Sequence, residues 1–183
     1  KVAMIDTDPQ GSLSHWHELR AQKYGEEYTG LRFIKTSGWK INSELMSLRN
    51  MDYIVIDSPP HMETDAKTAI RAADLVLIPL QPSPADVWAT TATVNLCEHE
   101  QKEYRVIMNR VVPNSKLANE LKKPFSNVSK SILGNRVIFA SSMRDGRSVL
   151  ELSPKGPAAA DIKAMIAEVE KLSKPKNKSN KAA

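Results

Sequence analysis

Hydrophobic positions along the chain fall into short unbroken runs separated by longer stretches with helical spacing. The runs are KVAMID, LRFIKT, DYIVID, LVLIPL, YRVIMNRV and RVIFAS, rich in β-branched residues and too short for helices. Between and after them the spacing predicts a helix over Ser12 to about Tyr24, others over 40–50, 63–73 and 83–102, one or two over 115–133, and two more over 144–152 and 157–173. A strand with one wet face alternates apolar and polar residues. A run that is apolar throughout is covered on both faces, as parallel strands are. About six such strands alternating with helices predict an α/β fold: a doubly wound, mostly parallel sheet with helices on both faces. Right-handed crossovers then follow. The longest helix has the clearest start. In PSPAD, Ser83 suits the N-cap, Pro84 sits where a missing N–H costs nothing, and Asp86 lies near the positive end of the helix.

Ligands of a doubly wound sheet sit beyond the carboxyl ends of its strands. The residues placed there are Asp6 and Asp8 in DTDPQGS, Asp57 in VIDSPP, Gln81 and Ser83, Asn109 and Arg110, and Ser141 to Arg147 after the run RVIFAS. A carboxylate closing a buried strand is costly unless a cation meets it. In phosphate-transfer sites that cation is Mg²⁺, and Asp57 fits the role. One strand-end Asp often only caps a turn. Two such strands, one ending Asp-x-Asp and one Asp-x-Pro-Pro, are more specific.

DTDPQGSL, YIVIDSPP, ADLVLIPLQPSPADVWA and VIMNRV, in this order and spacing, resemble the ParA branch of the ParA/MinD ATPases, over the chain to about Leu152. The resemblance implies a P-loop NTPase-like fold with ATP and Mg²⁺ as cofactors. Asp8 would position the attacking water, Asp6 would support its loop, and Asp57 would be the Walker-B acid, holding Mg²⁺ through water. Pro59 and Pro60 would begin the following switch, and Asn109 would read the adenine edge with Arg110 beside it. It further implies ATP-driven homodimers that bind nonspecific DNA, a ParB-like centromere-binding or activating partner, and a cytoplasmic, nucleoid-associated location. One part of the pattern is missing. The sequence contains no G-x-x-x-x-G-K-[ST] and no comparable glycine-rich turn, and Lys1 already stands at the family's second strand. The expectation is therefore an ATPase domain over 1–173 that lacks its first strand, phosphate loop and first helix, a piece of roughly 30 residues.

Charge adds a second theme. The formal net charge is +5. Residues 1–103 carry 10 basic and 15 acidic side chains, residues 104–155 carry 10 and 3, and the tail from Lys171 has five lysines and no acid. Such asymmetry predicts a polyanionic partner, with Lys122, Lys123, Arg136, Arg144 and Arg147 as candidate DNA contacts. Residues 174–183 read as a disordered basic tail. The lone Cys97 allows no internal disulfide and suits the buried face of a helix in a reducing compartment. No apolar run is long enough to span a bilayer. His15 and His17, two apart on a helix, do not face each other, His61 reads as a loop histidine, and Trp16 and Trp88 read as core or interface packing. Two other functions share these features: a MinD-like positioning ATPase working on membrane or protein cargo, and a non-catalytic remnant.

Overall fold

The computed structural model describes residues 1–59 and 63–173. Among them six strands alternate with eight α-helices. The strands are β1 (Val2–Asp6), β2 (Arg32–Lys35), β3 (Tyr53–Asp57), β4 (Val76–Leu80), β5 (Tyr104–Val111) and β6 (Val128–Gly134). The helices are α1 (Ser12–Tyr24), α2 (Ile41–Ser47), α3 (Glu63–Ala72), α4 (Pro84–His99), α5 (Lys116–Leu121), α6 (Val137–Arg144), α7 (Val149–Leu152) and α8 (Pro157–Ser173). Every strand pairing is parallel, so the α/β architecture with a parallel sheet flanked by helices is the one expected. The predicted cap of α4 forms: the Ser83 hydroxyl accepts from Asp86 N, with Pro84 in the first turn.

The strands form two half-sheets rather than one, in the orders β2-β1-β3 and β4-β5-β6. Each has its own apolar core. Ala3, Ile5 and Leu48 pack under the first, and Ile78, Leu80, Val94, Cys97, Val106 and Met108 are among those under the second. Cys97 is fully buried there, and burial pushes its thiol pKa up to about 11. β3 and β4 each leave one edge unpaired among the described strands, and Tyr53, Val55 and Leu77 on them are exposed. Two connections span the halves. α3 packs on α2 and the short turn Gly38–Lys40 of the first half and sends Ile70 into the core of the second. α1 reaches across to the turn after α6.

Two expectations fail at the C-terminal end. RVIFAS is not a strand: Arg136 is extended, and the chain from Val137 to Arg144 is α6. Ser141 to Arg147 therefore lie on a helix and the turn after it, not at a strand end. The sixth strand is instead VSKSILG, within the stretch expected to be helical. Its inward residues Ser129 and Ser131 are polar, so it carries no apolar run. They are buried because Glu168 of α8 accepts from both hydroxyls (2.8 and 2.9 Å) and from the backbone nitrogens of Lys130 and Ser131. Asp161, two turns earlier on the same face of α8, accepts from Gly134 N at 3.1 Å. The two acids cap strand β6, whose free N–H groups would otherwise stay unpaired.

Candidate functional site

The turn DTDPQGS is built around one carboxylate. Asp6 ends β1 with none of its surface exposed. Its Oδ1 accepts from Asp8 N at 3.0 Å, and its Oδ2 accepts from both Ser14 N (2.9 Å) and the Ser14 hydroxyl. A buried carboxylate with three donors is satisfied without a cation, and it ties the turn to the second residue pair of α1. Asp8 sits at the corner. Its Oδ1 accepts from Gln10 N at 2.9 Å and its carbonyl from Gly11 N at 2.9 Å. Gly11 closes the turn at φ +64°, a conformation that favours glycine.

Asp57 is the neighbour of Asp6 in register across β1 and β3. The backbone carbonyl of Asp57 accepts from Thr7 N (3.0 Å) and the Thr7 hydroxyl (2.8 Å), which locks the two strand ends together. Its side chain reaches the surface, yet its pKa is raised, first by loss of solvation against the surrounding walls and then by the charges of Asp6 and Asp8. Three carboxylates thus stand close together beyond the ends of β1 and β3, with the oxygens of Asp6 already taken up by backbone and hydroxyl donors. The described residues contain no cluster that would hold a metal by protein side chains alone. Pro59, two residues on, is buried; Pro60 and His61 lie outside the described residues.

A cation at this edge escaped the sequence reading. Lys35 ends β2 as the register neighbour of Asp6, and its ammonium lies against Gly11. The signal was present in LRFIKT, a charged residue closing an apolar strand, the same sign by which the aspartates were found.

Across the gap between the half-sheets, Asn109 and Arg110 sit in an irregular stretch of β5. The register of β5 with β6 shifts between Met108 and Val111, and Arg110 adopts φ +52°. A bulge of this kind re-aims side chains at a sheet edge. Asn109 Oδ1 accepts from Arg110 N at 2.9 Å. Both residues line a cleft of about 1040 Å³ whose other wall includes Met4, Leu13 and Trp16 from the first half-sheet.

The basic candidates separate into two groups. Lys122 and Lys123 close α5. Arg136, Arg144 and Arg147 line the same cleft as Asn109 and Arg110. Two of these are engaged: Arg136 with Asp161 at 2.9 Å, and Arg147 with Asp145. Arg144 is exposed at the end of α6. The tail 174–183 lies outside the described residues. His15 makes only a 3.4 Å contact with Glu18 on the surface, and His17 stacks on Phe33 at 4.3 Å. Trp16 packs, donating to Arg147 O, whereas Trp88 is 73% exposed and belongs to no core.

Comparison with known proteins bears on the fold. A family model described as an AAA domain matches residues 29–109. The maintenance of carboxysome distribution protein A of Halothiobacillus neapolitanus is 26% identical over 180 residues, which cover 92% of this chain and 82% of that protein. Among solved structures, the septum site-determining protein MinD of Pyrococcus horikoshii, complexed with Mg-ADP, superposes with a TM-score of 0.74 at 14% identity, over 95% of this chain and 85% of that one. A putative plasmid partition protein of Borrelia burgdorferi bound to AMPPNP superposes with a TM-score of 0.69 at 18% identity, over 93% of this chain and 87% of that one.

Proposed function

We infer the function from the chain's membership of the ParA/MinD group of ATPases: the complete protein is an ATP-driven positioning protein that works as a nucleotide-closed dimer on nonspecific DNA. The observation that supports this is the group of carboxylates beyond the carboxyl ends of β1 and β3: Asp6 and Asp57, paired in register, and Asp8 in the turn that Asp6 holds. Asp57 would hold Mg²⁺, mostly through water. Mg²⁺ would neutralise charge on the β- and γ-phosphates. Asp8, free on one oxygen and fixed by its turn, would orient the attacking water. Asp6 would act only through Asp8, by holding the turn. Asn109 presents both a donor and an acceptor, as reading a base edge needs.

The phosphate cradle is absent from the 183 residues as a motif. We propose that it is supplied by a preceding strand and glycine-rich turn. β3 and β4 each have one edge unpaired among the described strands, and one further parallel strand between them would satisfy both. The chain alone should then bind MgATP only in the millimolar range or weaker as an order of magnitude. Micromolar binding by this chain in calorimetry would place the phosphates in some other site.

The name of the Halothiobacillus relative refers to carboxysome distribution. That favours a large protein assembly as cargo over a replicon, with an activating protein in the place of a centromere-binding one. DNA contact rests on Lys122, Lys123 and Arg144, since Arg136 and Arg147 already have acidic partners. Filter binding to duplexes of unrelated sequence, at several salt concentrations and with or without ATP, tests this. Binding should require ATP, ignore sequence and weaken steeply with salt. Liposome binding in place of DNA binding would favour membrane positioning instead.

A further inference from the structure

Among the described residues no strand pairing joins the two half-sheets, so within this chain other contacts fix their relation. One set is concentrated on a single face of α1. Trp16, Arg20 and Lys23, at helical spacing, all reach the turn 145–151. Trp16 Nε1 donates to Arg147 O at 3.3 Å, and Lys23 Nζ to Asp145 Oδ1 at 2.8 Å. Arg20 Nη1 donates to Gly146 O at 3.2 Å, while its guanidinium forks onto Glu151 at 3.0 and 2.7 Å. Arg20 Nε donates to Thr29 O at 2.6 Å, and the side chain is only 12% exposed. Glu151 is fixed from its own side as well, because it closes the capping box of α7 with Ser148.

A separate observation concerns Gly146. Its φ is +62°, and a Cβ there would lie 2.6 Å from Arg20 N and 2.7 Å from the carbonyl carbon of Leu19. The backbone of the turn therefore touches the backbone of α1, with no room for a side chain between them. Helix and turn are fitted to each other by shape as well as by charge.

The two ends of this joint lead to the two parts of the candidate site. α1 begins at the Asp6–Asp8 turn, where Ser14 donates to Asp6. The 145–151 turn ends α6, and Val137 at the start of α6 lines the cleft with Asn109 and Arg110. A helix of 13 residues, rising about 20 Å, connects them. We propose that the 145–151 turn is a latch on α1 and that Arg20 is a positioning residue, through which the carboxylate turn and the Asn109–Arg110 bulge are held in one fixed relation. The catalytic meaning of that relation rests on the nucleotide site proposed above; the latch itself does not.

The test uses the full chain without nucleotide. Trp39 and Trp88, each 73% exposed, are replaced by Phe so that Trp16 is the only indole. Arg20→Ala should then shift Trp16 emission to the red. Amide exchange should rise roughly tenfold in α7 and in the first turn of α1, Ser14 included, the size expected for losing one partly screened, hydrogen-bonded charge pair. The strands β1 and β5 should keep their protection. Arg20→Lys should recover part of the effect, since it restores charge without the fork. Gly146→Ala should reproduce the pattern from the other side with no change of charge. If Arg20→Ala loses protection in β5 as well, the milder Glu151→Gln decides by the same readout. Faster exchange confined to the residues beside position 20, with Ser14 unchanged, overturns the proposal. In the complete protein, Arg20→Ala should lower kcat for ATP with little change in KM. An unmutated protein without hydrolysis would remove the nucleotide reading, and the exchange pattern would still decide the latch.

Discussion

Asp57 and Asp6 are adjacent strand-end carboxylates with opposite circumstances. Asp6 is buried and saturated by three donors, so its charge is settled within the fold. Asp57 has its pKa raised by lost solvation and by its two acidic neighbours. A carboxylate whose folded pKa lies above its unfolded value favours the fold while protonated, and that contribution is lost as pH rises through the folded value. At neutral pH the charge on Asp57 is therefore a cost in the absence of a cation. Asp57→Asn should raise the Tm of the metal-free chain slightly, because solvent screens most of the cost of an exposed charge. The same variant of the complete protein should lose the Mg²⁺ dependence of nucleotide binding. A lower Tm for Asp57→Asn in a thermal scan without metal would show that the charge is already compensated.

Elements followed their sequence wherever burial is apolar. The first five strands and the cap of α4 were legible because unbroken aliphatic runs and a Ser-Pro-Ala-Asp start leave little choice. The error at the C-terminal end has one cause. β6 is held by polar contacts, two serines and two backbone N–H groups on Glu168, which no hydrophobic pattern can show. Burial pushes the Glu168 pKa up, but these donors outweigh it and hold the carboxyl below its ordinary range. Glu168→Ala would leave several buried groups without an acceptor, at a cost of about 2 kcal/mol, or roughly 4–8 °C of Tm. A calorimetric Tm within a degree of the parent would mean that water replaces the carboxylate. The latch is a second polar element, equally hidden from periodicity because its partners are more than a hundred residues apart. The Arg20 guanidinium, helped by Ser148, holds Glu151 down to about 2 from an ordinary 4.5. A depressed carboxyl stabilises the fold above its unfolded pKa and loses that contribution as pH falls toward the folded value. Exchange protection of α7 should thus decline between about pH 4.5 and 2, and Glu151→Gln should be flat across that window.

At the scale of the whole molecule, the two half-sheets carry different parts of one proposed reaction. The first holds the carboxylates, and the second holds the bulge with Asn109 and Arg110, which lines a cleft together with Met4, Leu13 and Trp16 of the first half. The fold was legible from the sequence because parallel strands are apolar throughout. The carboxylate edge was legible because charge at the end of such a strand is rare. The separation into halves is what a sheet lacking an interior first strand, as the resemblance implies, would show. No helix among the described residues is long and apolar enough to cross a membrane. The most direct measurement is ATP turnover by the complete protein, with Asp8→Ala beside the unmutated form and nucleotide binding followed in parallel. Asp8 is proposed to act on the transition state and not on ground-state affinity, so binding should persist while kcat falls about a hundredfold or more. Unchanged turnover in Asp8→Ala, or no hydrolysis by the unmutated protein, would contradict catalysis at this edge.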